Sequence, residues 1–253
     1  MNNENSYTKK ILKPTQKLQD ELFQEMKNRI KEDDTSVPYY YNEYWYMRKY
    51  EKGKDYPIYL RKHKSLDAVE ELLVDVNKLA EGYSYFQLRG ISISPDNKKM
   101  AYAVDTLSRR IYTIKIKNLE TGEMYNEQIR NTTGGSTWAN DNKTLFYSSR
   151  EDVTLRVNKI HKHKLGSEVS EDELVYEEKD KEFSTGIYKT KSNKFLVIGS
   201  GSTLTSEVRY IDADNPSEEP KLFLKRVEGH EYSIDHYKND FYIKTNINDA
   251  HNF

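Results

Sequence analysis

From Thr15 onward the apolar positions fall every four residues, at Leu18, Leu22, Met26 and Ile30, with Lys17, Asp20, Glu21 and Lys27 between them. That spacing lays one apolar stripe along an α-helix and a charged face around the rest of it. Pro14, just ahead of Thr15, suits a helix start. The pattern predicts an amphipathic helix over residues 15–30, inside an N-terminal arm of residues 1–36. A lone helix of that length is marginal in water, so its stripe needs a surface to cover it.

After Val37-Pro38 the period changes to that of strands, first in YYYNEYWYMRKY and DYPIYLRKH. From there a turn followed by an apolar strand keeps returning: Asn42 before EYWYM, Asn97 in SPDNKKMAYAV, Asn142 in WANDNKTLFYSS, Asn193 in TKSNKFLVIGS and Asn239 in HYKNDFYIKTN. The spacings are 55, 45, 51 and 46 residues. Asparagine suits these turns because it tolerates the left-handed backbone they need. A third strand follows in the central repeats (RIYTIKIKNLETG, LRVNKIHKHKLGS, SEVRYIDADNPS), and then a short fourth such as DELVYEE or KLFL.

A recurrence of roughly 40 to 50 residues with several short strands in each unit marks a β-propeller, one four-stranded blade per repeat. Four units lie between Pro38 and about Leu224, and a fifth begins near Arg226 and reaches the end of the sequence after two strands. The expected fold is mainly β: an incomplete β-propeller of about four and a half blades over residues 37–253, preceded by the helical arm. A propeller hides its sheet edges by closing its ring. The open end is therefore expected to be completed by further chain or by a partner, or to drive self-association and poor solubility.

Composition narrows the function classes. Twenty-one tyrosines suit strands, and acidic and basic residues nearly cancel at a net charge of −1. That balance offers no electrostatic reason for a nucleic acid or an anionic membrane as partner. No window approaches the roughly 18 consecutive apolar residues of a membrane span, and MNNENSYTKK lacks the apolar core of a signal peptide. The absence of cysteine excludes disulfides, thiolate metal sites and a cysteine nucleophile. It fits a cytoplasmic protein, although many exported proteins, periplasmic ones included, also lack cysteine.

The stretch GHEYSIDHY, Gly229 to Tyr237, holds two histidines with Glu231 and Asp235. A zinc-protease helix needs HExxH, because histidines four apart share one helical face and one ion. Here His236 follows His230 by six. On a helix the two diverge, and on a strand they stand roughly 20 Å apart at about 3.3 Å per residue. They read as structural histidines on a strand, and no metal site or cofactor is expected. A hydrolase nucleophile of the G-x-S-x-G type is also missing: GSGST from Gly199 and GGSTW from Gly134 lack the pattern. His161 and His163 alternate with lysines as on a solvated face, and His63 and His251 sit in polar surroundings. No Ser-His-Asp arrangement follows from these positions, so no catalytic residue is expected.

A long ordered series of segments, ENSY, VPYYYNEYWYMRKYEKGKDYPIY, ISISPDNKKMAYAVDTLSRRIYTIKIKNLETGE, TWANDNKTLFY, DELVYEEKD, TSEVRYIDAD, GHEYSIDHY, FYIKTN and the final NF, resembles the oligopeptidase B branch of the prolyl oligopeptidase family of serine peptidases. The resemblance implies a seven-bladed propeller capping an α/β-hydrolase domain, in an enzyme that cleaves short peptides after Arg or Lys. It implies further that residues 15–30 pack on the hydrolase domain, and that the rest of the propeller and the hydrolase domain follow after a point matching Phe253. This segment would then gate access to the active site and dock on the hydrolase domain. Alone it would be inactive, since the nucleophile, base and oxyanion donors lie elsewhere. Arg109, Arg110 and Arg150 are candidate partners for hydrolase-domain carboxylates. The acidic runs Glu168 to Glu173 and EEKDKE from Glu177 read as solvated inter-strand loops. The alternative is a stand-alone propeller-type scaffold that binds another protein.

Overall fold

The N-terminal stretch is helical as far as Asn28. In the computed structural model, which describes residues 1–248 and 250, α1 (Asn2–Leu12) passes through one 3-10 turn at Lys13–Thr15 into α2 (Gln16–Asn28). The helix read from the stripe is therefore only the second half of the helical arm. In α1 the apolar residues are too few to make a stripe, and Pro14 sits inside the 3-10 turn, where its missing N–H costs little. Ile30 falls beyond the last helical turn. No residue of either helix is buried, and Ile11, Leu18, Leu22, Phe23 and Met26 are 46% to 61% exposed.

The arm belongs to a first unit, Met1–Leu79; a second begins at Ala80. The first unit holds one antiparallel sheet of β1 (Asp34–Thr35), β2 (Tyr39–Tyr41), β3 (Tyr44–Tyr50), β4 (Ile58–His63) and β5 (Glu71–Asp75), in the order β1-β3-β4-β5 with β2 also on β3. Asn42 and Glu43 form its two-residue hairpin, both with positive φ (45° and 66°), which matches the right-handed twist of the strands they join. A short helix α3 (Val76–Ala80) follows β5.

The second unit has three sheets. The largest, of seven strands, runs β12-β11-β10-β9-β8-β7-β6, through β6 (Gln87–Ile93), β7 (Lys99–Asp105), β8 (Tyr112–Asn118), β9 (Met124–Trp138), β10 (Thr144–Arg150), β11 (Val157–Lys164) and β12 (Glu173–Glu177). A four-stranded sheet follows, β13 (Ser184–Lys189), β14 (Phe195–Gly201), β15 (Ser206–Asp212) and β16 (Lys221–Leu224), and then a hairpin of β17 (Tyr232–Tyr237) and β18 (Asp240–Thr245).

The seven strands are two blades joined by β9. Its first half lies against β8, with Met124 opposite Lys117 and Thr132 opposite Tyr112. Its second half descends along β10, with Thr132 opposite Ser149 and Trp138 opposite Leu145. The chain doubles back between Asn131 (φ 58°) and Gly134 (φ 87°) without leaving the ladder. The fourth strand of one repeat and the first of the next are thus one strand, where the sequence pattern suggests two.

Among the described residues, apolar layers hold the blades face to face. Ala101, Ala103, Ile114, Ile116 and Ile129 meet Trp138, Leu145 and Tyr147. Phe146 and Ile160 meet Leu196, Ile198 and Ile211. Val197 and Val208 meet Tyr232 and Ile234. Successive residues of β10 and of β14 feed opposite layers, as the two-residue period of a strand demands when both of its faces are covered.

The recurring asparagines perform the same task three times. Asn97, Asn142 and Asn193 have φ of 61°, 59° and 60°. Around them the amides of Ser94, Ala139 and Thr190 donate to the carbonyls of Lys99, Thr144 and Phe195. In the last hairpin the left-handed residue is Lys238 (φ 55°), one position before Asn239, because β17 and β18 pair Tyr237 with Asp240 and leave a two-residue loop. Asn142 also ties repeats together, its Oδ1 accepting from the Asp96 N–H at 2.8 Å. Asn142→Ala is expected to cost about 2 kcal/mol, combining left-handed strain with a lost hydrogen bond. Asn142→Gly, which removes only the bond, is expected to cost about half of that; urea unfolding of the two variants separates the contributions.

Candidate functional site

Antiparallel strands send the loops of the second unit to two opposite ends. One end carries the asparagine turns and the loops after β8, β11 and β15; among the described residues these loops themselves hold no exposed large apolar side chain, and Met124, Leu174, Leu222 and Tyr237 (44% to 50% exposed) lie on the strands beside them. The other end carries the loops after β7, β10 and β14 and the links β12–β13 and β16–β17. Four of these five present an exposed apolar tip: Leu107 (71%), Val153 (92%), Leu204 (63%) and Val227 (59%). Arg109 and Arg110 lie in the first of these loops and Arg150 ends β10, so all three arginines singled out from the sequence come to this end. Exposed apolar tips and cations thus gather at one end of the second unit.

Carboxylates brace these loops. Asp105, 1% exposed, accepts from the amides of Leu107, Arg109 and Arg110 at 2.7 to 3.0 Å, which offsets the positive φ of Ser108 and Arg110. In the next loop Glu151 accepts from Thr154 Oγ1, from Arg156 Nη2 and from Asn158 Nδ2, while Leu155 takes the left-handed conformation.

The link Glu178–Phe183 is gripped from both sides. Arg156 donates to the carbonyls of Asp180 and Phe183 at 2.7 and 2.6 Å. Arg226 reaches the carboxylates of Glu178 (2.7 Å), Glu207 (3.3 Å) and Asp180 (3.4 Å), and its guanidinium lies 3.8 Å from the centre of the Phe183 ring. Burial alone would raise the Glu178 carboxyl, but the Asp180 amide, Arg226 and Tyr176 outweigh it and hold it below the usual carboxylate range. Glu207 is lowered in the same way against its own burial, chiefly by Arg209. The run from Glu177, which reads as a solvated loop in the sequence, thus contains at Glu178 (3% exposed) the centre of an ion cluster.

The lysine-flanked histidines are not solvated either. His163 is fully buried, its Nδ1 2.6 Å from Asp172 Oδ1, and Asp172 also accepts from the Tyr147 hydroxyl. Asp172 therefore departs from the solvated reading of residues 168–173 as well. His161 stacks on Tyr147 and meets Ser149 Oγ at 3.0 Å; burial, and then Lys159, lower its pKa, so it is neutral at pH 7. The cause is packing: β11 has neighbours on both faces, and Lys162 reaches past them to Glu173 at 3.0 Å.

Catalysis by a serine triad needs one imidazole between a hydroxyl and a carboxylate. Here the contacts fall on different rings. His163 has the carboxylate, while His161 has Ser149, His236 has Ser192 and His230 has Thr245. Ser200 points to Thr185 and Tyr176, and Ser202 to the Thr205 carbonyl. His236 lies on β17 as a buried strand residue, His230 just before it, and they bind separate hydroxyls. His63 is half-exposed at the end of β4, 3.8 Å from Glu43, and His251 lies outside the described residues. No described helix is long and apolar enough to cross a membrane.

Nothing in the sequence pattern marks Arg156, Arg226 or Glu207, which meet partners up to 48 residues away. Asp105 does carry a local signal, since an Asp opening a short polar loop readily accepts from the amides that follow it.

The family model described as the prolyl oligopeptidase N-terminal β-propeller domain matches residues 1–253. A dipeptidyl aminopeptidase BI of Pseudoxanthomonas mexicana is 38% identical over all of this chain and 37% of its own length. Protease 2 of Moraxella lacunata is 34% identical over 96% of this chain and 36% of its own. Among solved structures, oligopeptidase B from Leishmania major superposes with a TM-score of 0.90 at 31% identity, covering 98% of this chain and 36% of that one. The chain therefore spans little more than a third of the length of these relatives.

Proposed function

Since the chain belongs to the prolyl oligopeptidase family through its N-terminal β-propeller domain, we propose that it is the access-controlling and docking portion of a cytoplasmic serine oligopeptidase resembling oligopeptidase B. The whole enzyme cleaves short peptides after Arg or Lys. The α/β-hydrolase domain seats on the loop end that carries Leu107, Val153, Leu204 and Val227, with Arg109, Arg110 and Arg150 pairing with its carboxylates. The apolar stripe of the arm covers a second patch of that domain.

The observation that carries this reading is the asymmetry between the two sets of loops: those at one end have no exposed large apolar residue among the described residues, while those at the other are braced and apolar-tipped. Bracing removes in advance the ordering cost that a flexible loop would meet on docking. Among the described residues no imidazole joins a hydroxyl to a carboxylate, so the part proposed for this chain is gating and not bond cleavage.

A chimera tests this, with the present chain replacing the matching first third of the Pseudoxanthomonas mexicana relative. The isolated chain is expected to give no turnover of a short arginyl substrate, and the chimera to be active. Leu107→Asp combined with Leu204→Asp is expected to lower chimera kcat/KM at least about tenfold, the loss of two buried apolar contacts in a domain interface. Glu120→Ala with Glu218→Ala, at the opposite end, leaves it unchanged. Equal losses from both pairs, or turnover by the isolated chain, would overturn the reading.

A further inference from the structure

The outer half of β9 offers a second binding site, at the end of the unit away from the loops assigned above to the hydrolase domain. Residues Met124–Gln128 hydrogen-bond to β8 along one side, and among the described residues no strand pairs with them along the other. Across from that free edge stands the segment Gly166–Val169, and the two enclose a groove of about 610 Å³. Its floor is Tyr125 and Val169, which rest on the apolar layer between the two blades. Its walls carry two carboxylates. Glu127 uses Oε1 to accept from the Gly166 N–H at 2.7 Å, and neither Glu127 nor Glu168 has a cationic partner among the described residues.

We propose that this groove binds an extended, cationic peptide segment of a protein partner, added as a strand to the edge of β9. Three features select that occupant. An unpaired strand edge supplies main-chain donors and acceptors in register with an extended backbone. The apolar floor takes an aliphatic or aromatic side chain. Glu127 and Glu168 take a Lys or Arg, since two carboxylates without a counter-ion favour a cation and repel an acidic sequence. Because the groove opens at the end opposite the braced loops, it stays accessible with that face covered.

The test uses the 253-residue chain and three blocked pentapeptides: Val-Thr-Lys-Thr-Val, whose Val and Lys share one face as Tyr125 and Glu127 do, the same peptide with Glu for Lys, and the lysyl peptide with its central amide N-methylated. Binding is followed by amide chemical shifts. The lysyl peptide is expected to saturate shifts at residues 124–128 and 166–169, the glutamyl peptide to leave them in place, and the N-methylated one to bind at least tenfold more weakly. Glu127→Gln with Glu168→Gln is expected to weaken the lysyl peptide at least tenfold in a chain that still folds, because the carboxamide oxygen can still accept from Gly166. Equal binding of lysyl and glutamyl peptides, shifts confined to other residues, or no binding at millimolar peptide would overturn the proposal. So would concentration-dependent shifts of the same amides without peptide, which would assign the groove to a second copy of the chain.

Discussion

Gly90→Ala is expected to destabilise the second unit by about 3 kcal/mol or more, a loss in the range reserved for overpacked cores. Gly90 lies in β6 with φ 66°, and a Cβ there would stand 1.7 Å from the carbonyl oxygen of Gly134. That atom is backbone, so no side-chain rotation relieves the contact. Gly134 is held reciprocally: its own Cβ would come within 2.9 Å of Arg89 and of the Tyr112 ring. The first strands of two neighbouring blades pass so closely at Gly90 and Gly134 that neither of these two positions has room for a side chain. Gly122→Ala is the control, with φ 80° and nothing within 4 Å of the added carbon, and is expected to cost about 1 kcal/mol in backbone strain alone. Urea unfolding followed by Trp138 fluorescence in a Trp45→Phe background reads both; similar midpoints for the two variants would show that β6 and β9 can move apart.

Arg226→Met is expected to cost about 3 kcal/mol at neutral pH, because it leaves two buried carboxylates without their shared cation. The side chains of Glu178 and Glu207 are 4% and 8% exposed, and Arg226 itself is 26% exposed. Both carboxyls are held below their ordinary value of 4.5 in the folded chain. A carboxylate lowered on folding stabilises the fold above its unfolded pKa, and the contribution is lost as pH falls through the folded one. The wild type should therefore hold this contribution above about pH 5 and lose it on further acidification. In Arg226→Met that acid-side decline should flatten, since burial then works against the ionised form with less opposition. Lys98→Met, which removes an exposed pair with Glu120, should leave the unfolding midpoint where it is. Parallel pH profiles for wild type and Arg226→Met would mean that the arginine does not set the state of these carboxylates.

The fold was legible wherever one residue type was demanded by local geometry. Asn97, Asn142 and Asn193 reveal the repeat because a left-handed turn residue with a Cβ is best tolerated as asparagine, and the apolar strands behind them follow a period of two. Where geometry is set by distant contacts the sequence is silent. Lys238 takes the left-handed position in the last hairpin because the pairing of β17 with β18 fixes a two-residue loop, against the local preference of Asn239. His163 looks solvated beside its lysines, yet its strand has neighbours on both faces. Arg226 looks like any surface arginine until a blade 48 residues earlier brings Glu178 beside it. The apolar tips were equally hidden: Leu107, Val153 and Leu204 gain meaning only when alternating strands collect their loops at one end.

The doubled strand β9 bears on how such chains can be rearranged over evolution. Arrays of repeats grow and shrink by cutting and rejoining at linkers, and between the second and third repeats there is no linker to cut. Any crossover there would sever a ladder instead of a loop, so the smallest module that can be duplicated, lost or transplanted at this point is the pair, roughly Gln87 to Glu177.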